Sequence, residues 1–173
     1  MFFGCIGLTA FEIPETVTSI GNRAFFGTSL TELAIPSSVE SIGASAFTGV
    51  EITSVIIPAT VQTLGESAFG YCASLIHAEV AAQTIGPLAF ESCEAMTGVW
   101  LRNTVQSISF GRRFEEIDGQ DVLVTTSPFL HCDEDCMLYC EPASKPDGWM
   151  ERFNYGGWND DGMYDLPTTW GQS

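Results

Sequence analysis

The chain has 173 residues, 45% hydrophobic and 12% aromatic, enough for one ordered domain with a substantial core. Six Lys and Arg stand against 22 Asp and Glu, a formal charge of −16, so the surface repels phosphate backbones and anionic headgroups, and neither nucleic acid nor direct membrane insertion is expected. No run is long enough for a membrane-spanning helix, and the opening MFFGCIGLTAF lacks the basic flank and long apolar stretch of a secretory signal.

The first hundred residues repeat. Ala-Phe recurs at Ala24-Phe25, Ala46-Phe47, Ala68-Phe69 and Ala89-Phe90, each after an Ile-Gly or Leu-Gly step at Ile20-Gly21, Ile42-Gly43, Leu64-Gly65 and Ile85-Gly86, with a period of 21 to 22 residues. Upstream of each step lies an alternating segment: LTAFEIP from Leu8, LTELAIP from Leu30, ITSVIIP from Ile52, then LIHAEVA from Leu75 and MTGVWLR from Met96. Each segment predicts a short strand, ended by proline in the first three copies and followed by a Ser/Thr-rich turn. One unit cannot bury its own apolar face, whereas stacked units can, so the pattern predicts a solenoid in which equivalent residues form ladders about 4.8 Å apart. The recurring Phe predicts a buried aromatic column, and the Gly ahead of it a tight turn.

The unit L-T-x-L-x-I-P-x-x-V-x-x-I-G-x-x-A-F resembles the BspA-type leucine-rich repeat of bacterial and protist surface proteins over roughly residues 1–108, and LYCEPASKPDGWMERFN with TTWG resembles the closing segment of such arrays. The resemblance implies a mostly β leucine-rich-repeat solenoid of five to six coils (21–23 residue repeats) with short turns or helical pieces. It also implies a non-enzymatic interaction or adhesion surface, and a cell-surface or extracellular location. The solenoid is expected over 1–141, irregular from 109, where SFGRRFEEIDGQ is too short for a further coil. An aromatic C-terminal cap is expected over 142–173. The N-terminus enters the array without a recognisable cap, the pattern expected of a fragment of a longer array or of a chain that relies on a neighbour.

The stretch HCDEDCMLYC (131–140) has the residue types of a metal or redox site. Repeat register argues otherwise. Cys72, Cys93 and Cys132 each follow a Phe by three residues (Phe69, Phe90, Phe129), Cys136 matches Thr97, and Cys140 takes the inward strand position of Val80 and Leu101. Four strand residues separate Cys136 from Cys140 by about 13 Å, too far for one zinc with bonds near 2.3 Å. Cys72 and Cys93 should lie on neighbouring coils, but parallel ladder side chains point the same way, so free thiols are expected. No metal ligands, cofactor or catalytic residues are predicted. His77 has only Glu79 beside it and is expected to be solvated.

In these strands the residues between the inward positions face the concave side. Among them Glu12, Glu32, Ile56, His77, Glu79, Trp100 and Tyr139 are the candidate partner-binding residues, a stripe that is acidic at one end and aromatic at the other. Large apolar groups at outward positions mark recognition, with Trp and Tyr as anchors; the competing expectation is that they pack against the C-terminal segment or a neighbouring chain. The expected partner is a protein. The last third loses the repeat and concentrates Trp149, Phe153, Tyr155, Trp158, Tyr164 and Trp170. These could close the solenoid or, as the alternative function, form a glycan platform. Asn159 to Gly162 with Asp165 is a candidate calcium loop that lacks the first and last ligands of the EF-hand pattern.

Overall fold

A computed structural model describes residues 2–102, 104–109, 111–117, 120–132, 135–141, 155–159, 162–165 and 167–171, with backbone only for 111–117, 120–125, 155–159 and 162–165. Its described residues form a solenoid of parallel β strands, turns and no helices. One sheet joins the two-residue strands β1 (Ser19–Ile20), β2 (Ser41–Ile42), β4 (Thr63–Leu64), β6 (Thr84–Ile85) and β8 (Ser107–Ile108). The second joins β3 (Ser54–Ile57), β5 (His77–Val80), β7 (Gly98–Leu101), β11 (Met137–Cys140) and β14 (Thr168–Trp170), in that order. The fold class expected from the repeat is the one observed, with turns where short helical pieces were also allowed.

The aromatic column lies inside. Phe25, Phe47, Phe69 and Phe90 stack with centroids 5.2, 5.1 and 5.7 Å apart and rings within 12° of parallel. The column is longer than the four residues expected from the repeat. Phe2 stacks on Phe25 at 5.3 Å, and Phe129 on Phe90 at 5.9 Å. The first residues thus enter the ladder as half a coil, with Phe2 N–H donating to Ala24 O and Gly4 N–H to Phe26 O.

The third side of the solenoid is held by backbone hydrogen bonds between turns. Phe25, Phe47 and Phe69 N–H donate to Ala46, Ala68 and Ala89 O, and Gly27, Gly49 and Tyr71 N–H to Thr48, Gly70 and Glu91 O. Two positions per turn are left-handed: Arg23, Ser45, Ser67 and Leu88 two residues before each Phe, and Gly27, Gly49, Tyr71, Ser92 and His131 two residues after. This corrects the role expected of the Ile-Gly glycine. Its φ is not positive; instead a Cβ on Gly65 would lie 2.6 Å from Gly43 backbone carbon, and one on Gly86 2.8 Å from Leu64 O. Glycine is required at Gly43, Gly65 and Gly86 because the preceding coil approaches too closely for a side chain, whereas Gly21 in the first coil has open space around its missing Cβ.

One other expectation is corrected, and two hold with added detail. LTAFEIP and LTELAIP keep the inward alternation but form no strands, and ladder pairing in the second sheet stops at β3. Ala10, Glu12, Glu32 and Ala34 are weak strand formers where the third copy has Ser54-Val55-Ile56-Ile57. The segment after Ile108, expected to be too short for a further coil, is a hairpin: β9 (Gly111–Ile117) and β10 (Gln120–Thr126) pair antiparallel along their full length. That hairpin interrupts the fifth coil, which resumes at Phe129. Cys136 holds the register of Thr97, as expected, since Met137 pairs with Gly98, and it is buried where Thr97 is exposed.

Beyond 141, β14 joins β11 in parallel, Tyr139 opposite Thr169, while β12 (Tyr155–Asn159) and β13 (Gly162–Asp165) form a separate antiparallel pair. Trp170 packs against the core. Trp149, Phe153, Asp160 and Asp161 lie outside the described residues, as do the side chains of Tyr155, Trp158, Asn159, Tyr164 and Asp165.

A candidate interaction face on the strand sheet

The second sheet carries two outward rows: Ser54, His77, Gly98 and Met137 in one, Ile56, Glu79, Trp100 and Tyr139 in the other. Parallel register places Trp100 beside Tyr139, and their rings stack at 4.5 Å, 11° from parallel. His77 meets Trp100 edge-on at 5.6 Å. The Trp100 ring lies back over Gly98, where an added Cβ would fall 3.0 Å from Trp100 Cζ3 and 3.3 Å from Tyr139 Cε2. Trp100 and Tyr139 are therefore half-buried, by each other and by the strand beneath them, where the sequence suggested free exposure. Ile56, one coil further on from Glu79, remains 65% exposed.

Arg102, just past β7, reaches back across one coil: its Nε and Nη2 lie 2.9 Å from Glu79 Oε1, and Nη1 lies 3.9 Å from Glu141 Oε1. The sequence does not announce this pair: Arg102 follows Glu79 by 23 residues, two positions beyond Trp100, which is the register partner of Glu79. Both groups are about a third exposed, so the pair orders the rim of the face more than it stabilises the fold. A shallow depression of about 340 Å³ runs between Ile56, His77, Trp100 and Arg102. Glu12 and Glu32, both exposed, sit on the first two coils beside a second depression of about 510 Å³. The candidate residues thus fall into two groups on one face, with Ser54 lining both depressions.

The cysteines form a second constellation, inside the core. Cys72, Cys93 and Cys132 thiols donate to Phe47, Phe69 and Phe90 O at 3.2, 3.1 and 3.1 Å. Each thiol thus caps the carbonyl of the preceding coil's Phe. Hydrogen bonding to Cys72, then burial, then the neighbouring Cys132 push the Cys93 thiol well above its usual range, and burial pushes Cys140 up to about 12. No disulfide joins any of the six cysteines, and only Cys5 is exposed. Neutral thiols in an apolar interior are poor nucleophiles and poor metal ligands.

Comparison with known families agrees with this geometry: the model of the BspA type leucine rich repeat region matches residues 1–115 in six copies. The chain belongs to the BspA-type leucine-rich repeat family. Among solved structures, it is similar to a leucine-rich repeat protein from Bacteroides ovatus ATCC 8483 (30% identity, TM-score 0.56) and a leucine rich cell surface protein from Faecalibacterium prausnitzii A2-165 (30% identity, TM-score 0.54). Each match covers 58% of this chain and 27% of the other, so the chain spans about a quarter of the length of these two proteins. No curated protein matches. The matched region begins at residue 1, and the aromatic column begins at Phe2, a half-coil ahead of the first copy visible in the sequence.

Proposed function

We propose that this chain is a non-enzymatic protein-interaction module that binds through the outward face of its second sheet, with Ile56, His77, Trp100 and Tyr139 as the contact surface and Glu12, Glu32 and Glu79 at its acidic margins. The observation that carries this is the Trp100–Tyr139 stack: two large aromatic groups held parallel on a rigid sheet, beside a largely exposed Ile56. Preordered aromatics lose little conformational entropy on binding and are favoured as anchors. The leucine-rich repeat likeness supports an interaction role, and the cell-surface description of the Faecalibacterium relative supports placing this chain at a cell surface as an adhesion module. We further infer that residues 142–173 close the end of the array, a reading supported by the pairing of β14 with β11.

The test is capture of surface proteins on the immobilised chain, comparing wild type with Trp100→Ala and Tyr139→Ala, each verified as folded by circular dichroism. Loss of capture in both variants is expected. Capture that survives both contradicts the proposal, and a glycan array signal abolished by Trp158→Ala would move the function to the aromatic tail.

A further inference from the structure

The two depressions on the strand face have different chemistry. The one at Ile56, His77 and Trp100 is apolar and aromatic, and its cation, Arg102, is already neutralised by Glu79 at 2.9 Å. The other contains Glu12 and Glu32, exposed and without an ion-pair partner among the described residues, flanked by Ala10, Ala34 and Thr53. Ser54 lines both, so the two form one shallow trough along the solenoid axis. A trough of this shape suits an extended chain better than a globular knob.

Resting on the strand-face reading above, we propose that the partner presents an extended cationic segment. Its apolar or aromatic anchor sits against Ile56 and Trp100, and its Lys or Arg side chains meet Glu32 and Glu12. Charge complementarity argues for the cations: the chain carries a formal charge of −16, and the acidic end of the trough has no basic residue lining it. Geometry sets the spacing. Coils repeat at about 4.8 Å, so the Glu32 and Glu12 coils lie roughly 14 and 19 Å from that of Trp100; an extended segment rising about 3.3 Å per residue spans this in about four to six residues.

Panning a displayed random dodecapeptide library on the whole chain, then measuring the synthesised binders, tests the proposal. Enriched sequences should carry Lys or Arg four to six residues from Trp, Tyr, Phe or Leu. Affinity should fall at least tenfold in the folded double variant Glu12→Gln/Glu32→Gln, and at least as far when salt is raised from 50 to 500 mM. Trp100→Ala should also weaken it. Binders that need Trp100 but show no basic enrichment, or ignore the two glutamates, overturn the cationic segment and leave the strand-face reading standing; binders indifferent to Trp100 overturn both. A library that yields nothing, while a folded partner is still captured through Trp100, overturns the extended segment alone.

Discussion

Trp100 and Tyr139 lie 39 positions apart in sequence yet stack at 4.5 Å, because β7 and β11 are adjacent parallel strands in which these two residues pair. The stack also depends on Gly98, whose missing side chain is where the indole rests. Gly98→Val should lift the indole off the strand and leave the ladder intact, since valine suits a strand. Acrylamide quenching of tryptophan emission should rise and partner capture fall about tenfold, with the circular dichroism spectrum unchanged.

The hairpin in the fifth coil should be removable. Ile85 precedes Phe90 by five residues and Ile108 precedes Phe129 by 21; the sixteen residues of the β9–β10 unit, 111–126, account for the difference. Phe90 and Phe129 stack regardless, and the Cys132 thiol still reaches Phe90 O. Deleting 111–126 should therefore give a folded solenoid with cooperative melting and a midpoint within several degrees of wild type. Loss of cooperative melting would show that the hairpin is needed to hold the last coils.

How far this was legible in the sequence follows from what translation along an axis can and cannot encode. A fixed period places equivalent residues in line, so the Phe column, the register of Cys132 and Cys140, and the adjacency of Trp100 and Tyr139 could be read without coordinates. Phe2 was missed because a half-copy has no strand segment to announce it. The hairpin is not periodic: its signal, Asp118-Gly119 between two strand-like runs, lies in local turn chemistry and not in the repeat. Gly98 beneath Trp100, and Arg102 against Glu79, are side-chain relations that the period constrains but does not specify. The unpaired first two copies show the reverse: the repeat was present, but local strand propensity was too weak to complete the ladder.

The two kinds of special turn position should respond oppositely to substitution. Tyr71 is held at φ 58° where Gly27 and Gly49 occupy the equivalent sites, and its side chain is exposed. Tyr71→Gly should raise stability by about 1 kcal/mol by relieving a left-handed conformation costly to residues with a Cβ. Gly65→Ala should lower it and reduce the melting temperature, because the new methyl would meet the Gly43 backbone at 2.6 Å. Urea melts of the two variants beside wild type check both signs.

Buried neutral thiols predict an alkaline limit to stability. A thiol of the unfolded chain ionises near the usual 9.0, whereas Cys140 in the folded chain holds its proton to about 12 and Cys93 is also raised. Above pH 9 the unfolded state thus binds fewer protons, and stability should fall by about 1.4 kcal/mol per pH unit for each such thiol until the folded thiol itself ionises. Below pH 9 this contribution is fully present. Urea melts between pH 8 and 11 should show the decline, and Cys140→Val should flatten it. In the native chain at pH 8, iodoacetamide should label Cys5 alone.

Site-specific photocrosslinking distinguishes which of the two sheets the partner touches. A benzophenone side chain placed at Ile56, on the strand face, or at Thr63, exposed on the opposite sheet, reports which side the bound partner touches. A crosslinked adduct is expected from position 56, disappearing when Trp100→Ala is added, and none from position 63. An adduct from position 63 with none from position 56 would contradict the strand-face reading.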